Sequence, residues 1–342
     1  MSNIPKLRFP EFSGEWEEKK LSDFMTRLTR KNSNNESSRA LTISSVDGLI
    51  DQGEFFKKQI ASKDTSGYYL LKNGDFAYNK SYSVGYDYGS IKRLDRYEDG
   101  VVSTLYICMT LTSDTNSDYL THYFDSMKWN KSVSEISAEG ARNHGLLNIP
   151  TESFFQTKHF LAPTLAEQQK IADFLSNVDS IITAETKILN TLQKKKKALM
   201  QKLFTRQLRF KSDDGTDFPE WEEKKLGDVC SYIGGGTPSK KVKEYWNGNI
   251  NWASVKDITG KYLYETQDKI SQLGADSSAT NICEPDSLLL ITRMSPGETV
   301  ITKCITAINQ DLKIVKSDIN VEFLHLLFQS IQTKIDEKTS GT

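Results

Sequence analysis

The chain has 342 residues, of which 37% are hydrophobic and 26% are charged, and its formal net charge is −1. Such a chain is long enough for two ordinary domains that each bury their own core. The near-neutral charge excludes a uniformly basic DNA-binding protein but allows local basic patches. The sequence has neither an apolar run of membrane-spanning length nor an apolar signal core, so we expect a cytoplasmic protein. The four cysteines are scattered, which predicts reduced thiols rather than disulfides or a zinc site.

One sequence phrase occurs twice. Trp16–Asp23 reads WEEKKLSD, and Trp221–Asp228 reads WEEKKLGD. Each copy is preceded by Leu-Arg-Phe and by Phe-Pro-Glu. The copies lie roughly 200 residues apart, which is far more than the 20–50 residues of a solenoid repeat. The repetition therefore predicts two whole domains of one kind.

Residues 21–160 have the pattern of a mixed α/β domain. The β-rich runs lie at 41–43, 67–71 and 101–108, and turn signals occur at Asp47-Gly48, Asn73-Gly74 and Asp99-Gly100. A helical stretch at about residues 119–127 follows. Short strands and loops are expected to dominate this part of the chain.

Residues 164–204 predict one long helix. Thr164 and Glu167 have the spacing of a capping box, and neither glycine nor proline occurs up to Phe204. At 1.5 Å per residue, such a helix would span roughly 60 Å. Eight of its ten a and d heptad positions are apolar, namely Ile171, Leu175, Val178, Ile182, Leu189, Leu192, Leu199 and Leu203. This pattern predicts a coiled-coil seam that needs a partner helix.

Charged residues of this helix allow further interpretations. Glu185 and Lys196 occupy the other two seam positions and could set register or partner choice. The run Lys194–Lys197 is either a solvated face of the helix or a patch that faces DNA.

The second copy begins after a polar linker at residues 206–220. From Trp221 the chain again predicts short strands, with a helix near residues 321–330. The sequence ends at Thr342, which corresponds to about position 137 of the first copy. The end of a second domain and a second long helix are not part of this sequence. A natural truncation and a fragment of a longer protein are both consistent with this.

Three groups of residues carry a resemblance to a known family. The first is Pro163, Glu167, Gln168, Ile171, Ala172, Leu175, Asp179 and Ile182 at the start of the long helix; the second is Gly234–Ser239 with Tyr245, Trp246, Gly248, Ile250, Trp252 and Asp257; the third is Asn309-Gln310-Asp311. With these motifs the chain resembles the specificity (S) subunit of bacterial type I restriction–modification enzymes. The helix motif is the most specific part of the resemblance.

The resemblance implies an α+β protein with two similar mixed α/β target-recognition domains, separated by a long conserved coiled-coil helix, and with a truncated second repeat. We expect the first recognition domain with its leading segment at residues 1–160, the spacer helix at 161–205, the linker at 206–220 and the second, incomplete recognition domain at 221–342. The implied function is to read a bipartite target in double-stranded DNA. The sequence departs from the family pattern because it does not contain the second conserved helix, which in the family pairs antiparallel with the first.

The candidate DNA contacts are basic, amide and hydroxyl side chains near turns. Arginine suits guanine, asparagine suits adenine, and lysine mostly meets phosphates. The alternative for each is an ordinary solvated surface group. The candidates are Arg27, Arg30, Lys31, Asn79, Lys80, Lys92, Arg93, Arg142, Asn143 and His144 in the first half, and Thr237, Ser239, Lys240, Lys241, Lys256 and Arg293 in the second.

The sequence predicts no catalytic centre and no metal site. It contains no adjacent prolines, which excludes the Asn/Asp-Pro-Pro-Tyr/Phe motif of DNA amino-methyltransferases, and Gly234–Ser239 lacks the lysine of a nucleotide-binding P-loop. Its histidines show no metal-ligand spacing. We therefore expect a non-catalytic subunit without a cofactor of its own.

The resemblance implies modification subunits that bind S-adenosylmethionine and restriction subunits that use ATP and Mg²⁺, both docking on the long helix. Two alternatives to DNA recognition stay open: an assembly or decoy protein that only binds modification subunits, and a stand-alone enzyme with a cleft between its domains. The unpartnered seam also suggests self-association, in which two copies read a symmetric site.

Overall fold

The computed structural model describes residues 4–56, 61–62, 64–112, 114–137 and 147–339. The chain divides into unit 1, residues 1–186, and unit 2, residues 187–342. The boundary falls inside the helix at 165–204, so each unit contains one part of it. Each unit combines short strands with helices, which confirms the predicted α+β class. Within the described ranges, no helix combines the length and apolar composition that crossing a bilayer requires.

Unit 1 is built from short strands and mostly short helices. The strands are β1 (Glu17–Lys20), β2 (Met25–Arg27), β3 (Leu41–Ser44), β4 (Gly48–Asp51), β5 (Tyr69–Lys72), β6 (Phe76–Asn79), β7 (Ser90–Arg93), β8 (Asp99–Val102), β9 (Ile107–Leu111) and β10 (Lys158–Leu161). The helices are α1 (Leu21–Phe24), α2 (Gln52–Phe55), α3 (Ser117–Asp125), α4 (Asn130–Ile136), α5 (Thr151–Phe155) and α6 (Leu165–Phe204), which runs on into unit 2.

The main sheet of unit 1 is antiparallel, in the order β2-β9-β6-β7. Separate two-stranded pairs form between β1 and β10, β3 and β4, and β5 and β8. Aromatic side chains from α3, from Trp129 just before α4, and from α5 pack in the core beside β6. The ring of Tyr78 lies 5.4 Å from Trp129 and 4.8 Å from Phe154. This aromatic packing makes β6 the rigid centre from which the neighbouring loops project.

Two strand and turn predictions in unit 1 are wrong. Asp99-Gly100 lies inside β8 rather than in a turn. A Cβ at Gly100 would lie 2.4 Å from Cδ1 of buried Leu41, so this glycine serves close packing of the strands. The predicted run 101–108 is two strands, because residues 103–106 turn between β8 and β9. The other two turn signals are confirmed, with positive φ at Gly48 and Gly74.

Unit 2 repeats this mixture of elements. Its helices are α7 (Leu226–Val229), α8 (Gln272–Asp276) and α9 (Val321–Thr339), with 3-10 turns at Lys243–Tyr245 and Val255–Asp257. Its strands are β11 (Ser231–Gly234), β12 (Ile250–Ala253), β13 (Tyr262–Leu263), β14 (Asp268–Ile270), β15 (Asn281–Cys283), β16 (Leu288–Ile291), β17 (Thr299–Thr302), β18 (Thr306–Ile308) and β19 (Leu312–Lys316).

Two sheets enclose the core of unit 2, in the orders β11-β19-β16-β17-β13 and β14-β12-β18-β15. Strands β13 and β17 pair in parallel, as do β12 and β18. The central strand β16 is buried on both faces: Leu289 and Ile291 belong to the cluster shared with the second sheet, whereas Leu288 packs toward α9. Burial on both faces explains why this strand is an uninterrupted apolar run.

The long helix α6 begins and ends close to the predicted residues. The Thr164 hydroxyl accepts a hydrogen bond from the Glu167 amide at 3.2 Å, as a capping box requires. The reciprocal half of that prediction is wrong. The Glu167 carboxylate instead accepts hydrogen bonds from Arg8 and from Trp16, and it is 1% exposed. The start of α6 is therefore fixed by a tertiary contact as well as by its own cap.

Candidate nucleic-acid interface

Unit 1 brings some of the predicted cations together around Tyr69. Arg27, at the end of β2, and Lys80, just after β6, line one small cavity of about 50 Å³ together with the Tyr69 ring. The Lys31 ammonium lies 3.9 Å from the centre of the same ring and donates to the Gly67 carbonyl at 2.9 Å. Burial lowers the pKa of Lys80. None of Arg27, Lys31 and Lys80 forms an ion pair within the described ranges. Arg27 is the most available of them, because it is exposed whereas Lys31 and Lys80 are partly buried.

Other predicted residues of unit 1 serve its internal structure. The Arg30 guanidinium lies 2.6 Å from Asp75. The side chain of Lys92 is only 10% exposed, and its ammonium lies 2.6 Å from Asp125. These two cations are committed to internal ion pairs and are poorly placed for a ligand.

Arg93 and Asn79 also have local partners. Arg93 pairs with Asp95 at 2.6 Å and with Asp118 at 2.7 Å. Asn79 accepts from the amide of Ser81 at 3.0 Å, which orders the start of the next loop. Arg142, Asn143 and His144 lie outside the described residues.

The loop between β6 and β7, residues 80–89, is a further candidate, of which the sequence analysis named only Lys80. Its Val84 side chain is 90% exposed and Tyr82 is 47% exposed. Gly89 has a positive φ, and a Cβ there would lie 2.0 Å from the Asn79 carbonyl oxygen, so only glycine closes the loop. The Tyr78 hydroxyl donates to the Tyr88 carbonyl at 2.6 Å. The sequence signal that could have identified this loop is the presence of tyrosines between glycines in a segment that connects two strands.

In unit 2, three turns meet at one end of the sheets. We call them the turn cluster: residues 234–239, 292–293 and 309–311. The Thr237 hydroxyl donates to the Gln310 side chain at 2.6 Å. The backbone amide of Thr292 donates to the Asp311 carbonyl at 2.9 Å, and Arg293 lies 3.4 Å from the Asp311 carboxylate. The Asn-Gln-Asp motif thus connects the glycine-rich turn to the turn that carries Arg293.

Close packing explains the glycines of the turn cluster. A Cβ at Gly235 would lie 2.3 Å from the Ile308 carbonyl oxygen, and one at Gly236 would lie 2.7 Å from the Ala279 backbone. The Trp252 indole donates to the Gly236 carbonyl at 3.1 Å. The glycine run is therefore a tightly packed turn that holds Thr237 and Ser239 at the surface.

The turn cluster carries exposed positive charge. Lys240 and Lys241 are exposed and form no ion pair within the part of the chain that the structure describes. The Arg293 side chain is 70% exposed. Lys256 lies outside the cluster, and its ammonium is 2.7 Å from Asp268. The turn at 309–311 thus connects Thr237 and Arg293, and Ser239, Lys240 and Lys241 follow Thr237 along the chain, whereas Lys256 lies apart.

The predicted seam of α6 is open along most of its length. Its first residue, Ile171, packs against the core of unit 1. Farther along, Ile182, Leu189 and Leu192 are 57%, 55% and 56% exposed. Val178 and Leu199 are exposed to 37% and 41%, whereas Leu175 and Leu203 are partly buried. Exposed leucines and isoleucines at heptad spacing form an apolar stripe suited to a partner helix.

Comparison with known proteins relates the chain to one family. Residues 219–342 match the family model for the type I restriction modification DNA specificity domain. The specificity subunit of the type I restriction enzyme MjaIX from Methanocaldococcus jannaschii is 32% identical over 133 residues, which cover 37% of this chain and 31% of the relative. The MjaVIII specificity subunit from the same organism is 25% identical over 276 residues, covering 75% of this chain and 61% of the relative. The chain thus spans less than two thirds of the length of these relatives.

Solved structures show the same fold. The S subunit of a type I restriction–modification system from M. genitalium has a TM-score of 0.55 at 11% identity, covering 99% of this chain and 82% of that chain. A chain from a structure of type I restriction–modification complex assembly has a TM-score of 0.50 at 17% identity, with coverages of 98% and 83%. These likenesses confirm the predicted fold. The chain is therefore similar to the specificity subunits of type I restriction enzymes, and its residues 219–342 match the model of the type I restriction modification DNA specificity domain.

Proposed function

We propose that this chain is a non-catalytic DNA-recognition subunit of a type I restriction–modification complex. It reads a bipartite target in double-stranded DNA, with the first recognition domain at residues 1–160 and the second at 221–342, joined by the spacer helix at 161–205 and the linker at 206–220. The observation that carries the proposal is the turn cluster. A family DNA specificity domain presents unpaired Lys240 and Lys241 beside hydroxyl groups and the exposed Arg293 on tightly packed turns.

The geometry supports a division of tasks among these side chains. Lys240 and Lys241 supply mobile positive charge for phosphates, and Arg293 supplies a fork suited to a guanine edge. Thr237 and Ser239 supply hydroxyl groups that accept or donate. In unit 1, Arg27, Lys31 and Lys80 with the loop at residues 80–89 form the corresponding proposed surface. Arg30, Lys92 and Arg93 support that surface through their ion pairs.

The open seam of α6 supports proposed protein partners. We assign Ile182, Leu189, Leu192 and their seam neighbours to the docking of modification subunits, with restriction subunits joining the same complex. S-adenosylmethionine, ATP and Mg²⁺ are then bound by those partners in the cytoplasm. Self-association through the seam is the second use of the same surface, and it would produce a symmetric DNA target.

The exposed seam equally favours one alternative function. A protein that only gathers modification subunits needs this apolar stripe and needs no DNA contact. Methylome sequencing separates the two functions: cells that express the chain with its modification subunit are compared with cells that lack the chain. A new methylated bipartite motif is expected for DNA recognition, and its symmetry reports on self-association. Co-purification without a new motif would support the assembly function instead.

A further inference from the structure

The central hairpins of the two units occupy the same place in the sheet topology. In unit 1 the hairpin is β6–β7 within the order β2-β9-β6-β7, and in unit 2 it is β16–β17 within the order β11-β19-β16-β17. All of these pairings are antiparallel, and the four strands follow one another along the chain in the same sequence. The segments that join the strands of each hairpin are therefore structural equivalents. We call residues 80–89 hairpin tip 1 and residues 292–298 hairpin tip 2.

Hairpin tip 1 ends in a tight turn that presents Val84. The backbones of Ser83 and Tyr86 exchange hydrogen bonds across this turn, and Gly85 has a φ of +81°. The Ser83 hydroxyl lies 2.9 Å from the hydroxyl of Ser45, in the turn between β3 and β4, which fixes the tip from the side. Val84 is 90% exposed, and its branched Cβ leaves it few rotamers. An apolar side chain is thus held rigidly in solvent.

Hairpin tip 2 presents Met294 in the equivalent place. Met294 has a φ of +68°, a left-handed conformation that a methionine adopts only when its surroundings impose it. The Thr292 amide donates to the Asp311 carbonyl at 2.9 Å, and the Gln332 side chain donates to the Pro296 carbonyl at 2.8 Å. Met294 is nevertheless 86% exposed. The turn is therefore fixed from two sides and directs a large apolar side chain outward.

The packing of the units does not account for these two side chains. Neither Val84 nor Met294 belongs to an apolar cluster of the described structure. The Leu147 amide donates to the Lys80 carbonyl at 3.0 Å, so a later part of unit 1 already packs at the base of its tip and leaves Val84 exposed. A specific protein interface needs about 800 Å² from each partner, of which one valine or methionine supplies little. The neighbouring cations, Lys80 and the exposed Arg293, favour DNA instead.

We propose that both hairpin tips enter the major groove of DNA, where Val84 and Met294 each contact the C5-methyl group of a thymine. This inference rests on the proposed function and names one base that each recognition domain reads. The major groove is about 12 Å wide and admits a two-stranded β-ribbon, which is the form of each hairpin. Thymine is the only base with a methyl group in that groove, and an apolar side chain distinguishes it from cytosine. Arg293 then lies beside the thymine contact of unit 2, within reach of a neighbouring base pair.

Replacement of thymine by uracil tests the inference, because it removes only the methyl group. The probes are labelled duplexes that carry the bipartite motif found by methylome sequencing, with each half-site thymine replaced in turn. Binding to the complex of the chain and its modification subunit is measured by fluorescence anisotropy. We expect each half-site to contain a thymine whose replacement weakens binding by about three- to tenfold, since burial of one methyl group corresponds to about fourfold.

Variants of the two tips assign each methyl group to its side chain. Val84→Ser and Met294→Asn should weaken binding of the thymine duplex, and uracil in the corresponding half-site should then have no further effect. Asparagine tolerates the left-handed conformation, so Met294→Asn preserves the turn. Ile305→Ser is the control: Ile305 is 50% exposed and follows β17 at the end remote from tip 2, so this variant should retain the full response to uracil.

Several results would overturn the inference while leaving the proposed function in place. They are a motif with no thymine in a half-site, equal affinities for the thymine and uracil duplexes, and a uracil effect that persists in Val84→Ser and Met294→Asn. Loss of the modification subunit from either variant during purification would assign the tips to protein contact rather than to DNA. The absence of any methylated motif would overturn the proposed function, and this inference with it.

Discussion

Removal of two unpaired lysines beside the turn cluster, in the Lys240→Ala/Lys241→Ala double variant, is expected to weaken DNA binding by an amount that depends on salt. Each lysine that neutralises a phosphate contributes about 0.9 to the slope of log affinity against log salt concentration. Because neither ammonium is held by a carboxylate in the described structure, both are free to do so. The variant should therefore lose up to about 1.8 of the slope.

This change of slope is large enough to measure. Between about 50 and 200 mM salt, a slope change of about 1.8 alters the fall in affinity by roughly tenfold. The assay is fluorescence anisotropy of a mixed-sequence duplex titrated with the chain at several salt concentrations. A mixed sequence isolates the phosphate contribution from base recognition.

Two single variants serve as comparisons. Lys303 lies at the opposite end of the strands and pairs with Asp286 at 2.5 Å, so Lys303→Ala should leave the slope unchanged. Lys256 is paired with Asp268, and its replacement should have a smaller effect than that of either free lysine. Equal slopes in the double variant and in the unmodified chain would refute the assignment of phosphate contacts to the turn cluster.

Three further variants test the packing, the titration and the helix surface. Gly100→Ala should destabilise unit 1 by about 1–3 kcal/mol in denaturant titration, because the added Cβ would overlap buried Leu41. Gly67→Ala is the control: the space around Gly67 is open, so stability should change by less than about 0.5 kcal/mol. Burial lowers the pKa of His159 from 6.5 to about 4, so the unfolded chain binds a proton between these values that the folded chain does not. Stability should therefore fall as pH is lowered through this window, by at most about 1.4 kcal/mol per pH unit, and hydrogen exchange should show a flatter pH dependence in His159→Gln. Leu192→Glu, at an exposed seam position, should leave the fold intact but abolish co-purification of the modification subunit, whereas Gln193→Glu should not.

The sequence predicted the elements whose pattern involves only neighbouring residues and extends over a long stretch of chain. The heptad pattern and the lack of glycine and proline located α6. Gly100 shows where local signals fail, because a glycine in a turn and a glycine at a close approach of strands look alike in sequence. Glu167 shows the same limit, since its carboxylate serves Arg8, 159 residues away, rather than its own helix cap.

The candidate site was harder to predict because pairing is a tertiary property. Lys92 and Arg30 looked equivalent to Arg27, but their partners, Asp125 and Asp75, lie far from them in sequence. Conversely, the Asn309–Asp311 motif is visible in the sequence. Its connection of the glycine turn to Arg293 is not, because that connection depends on how the strands are arranged. Which cations are free is decided by the fold rather than by their neighbours along the chain.

Internal pairing also makes the net charge of −1 compatible with the proposed binding of DNA. Many acidic groups neutralise cations inside each unit, as Asp75, Asp125 and Asp268 do. Among the cations that form no ion pair in the described part of the chain are Lys240 and Lys241, beside the turn cluster. Few phosphate contacts give a shallow salt dependence and weak non-specific binding. In the proposed function, DNA binding then depends on base contacts from the turns and on added contacts from the proposed partner subunits. This arrangement suits the proposed role of supplying specificity to a larger complex.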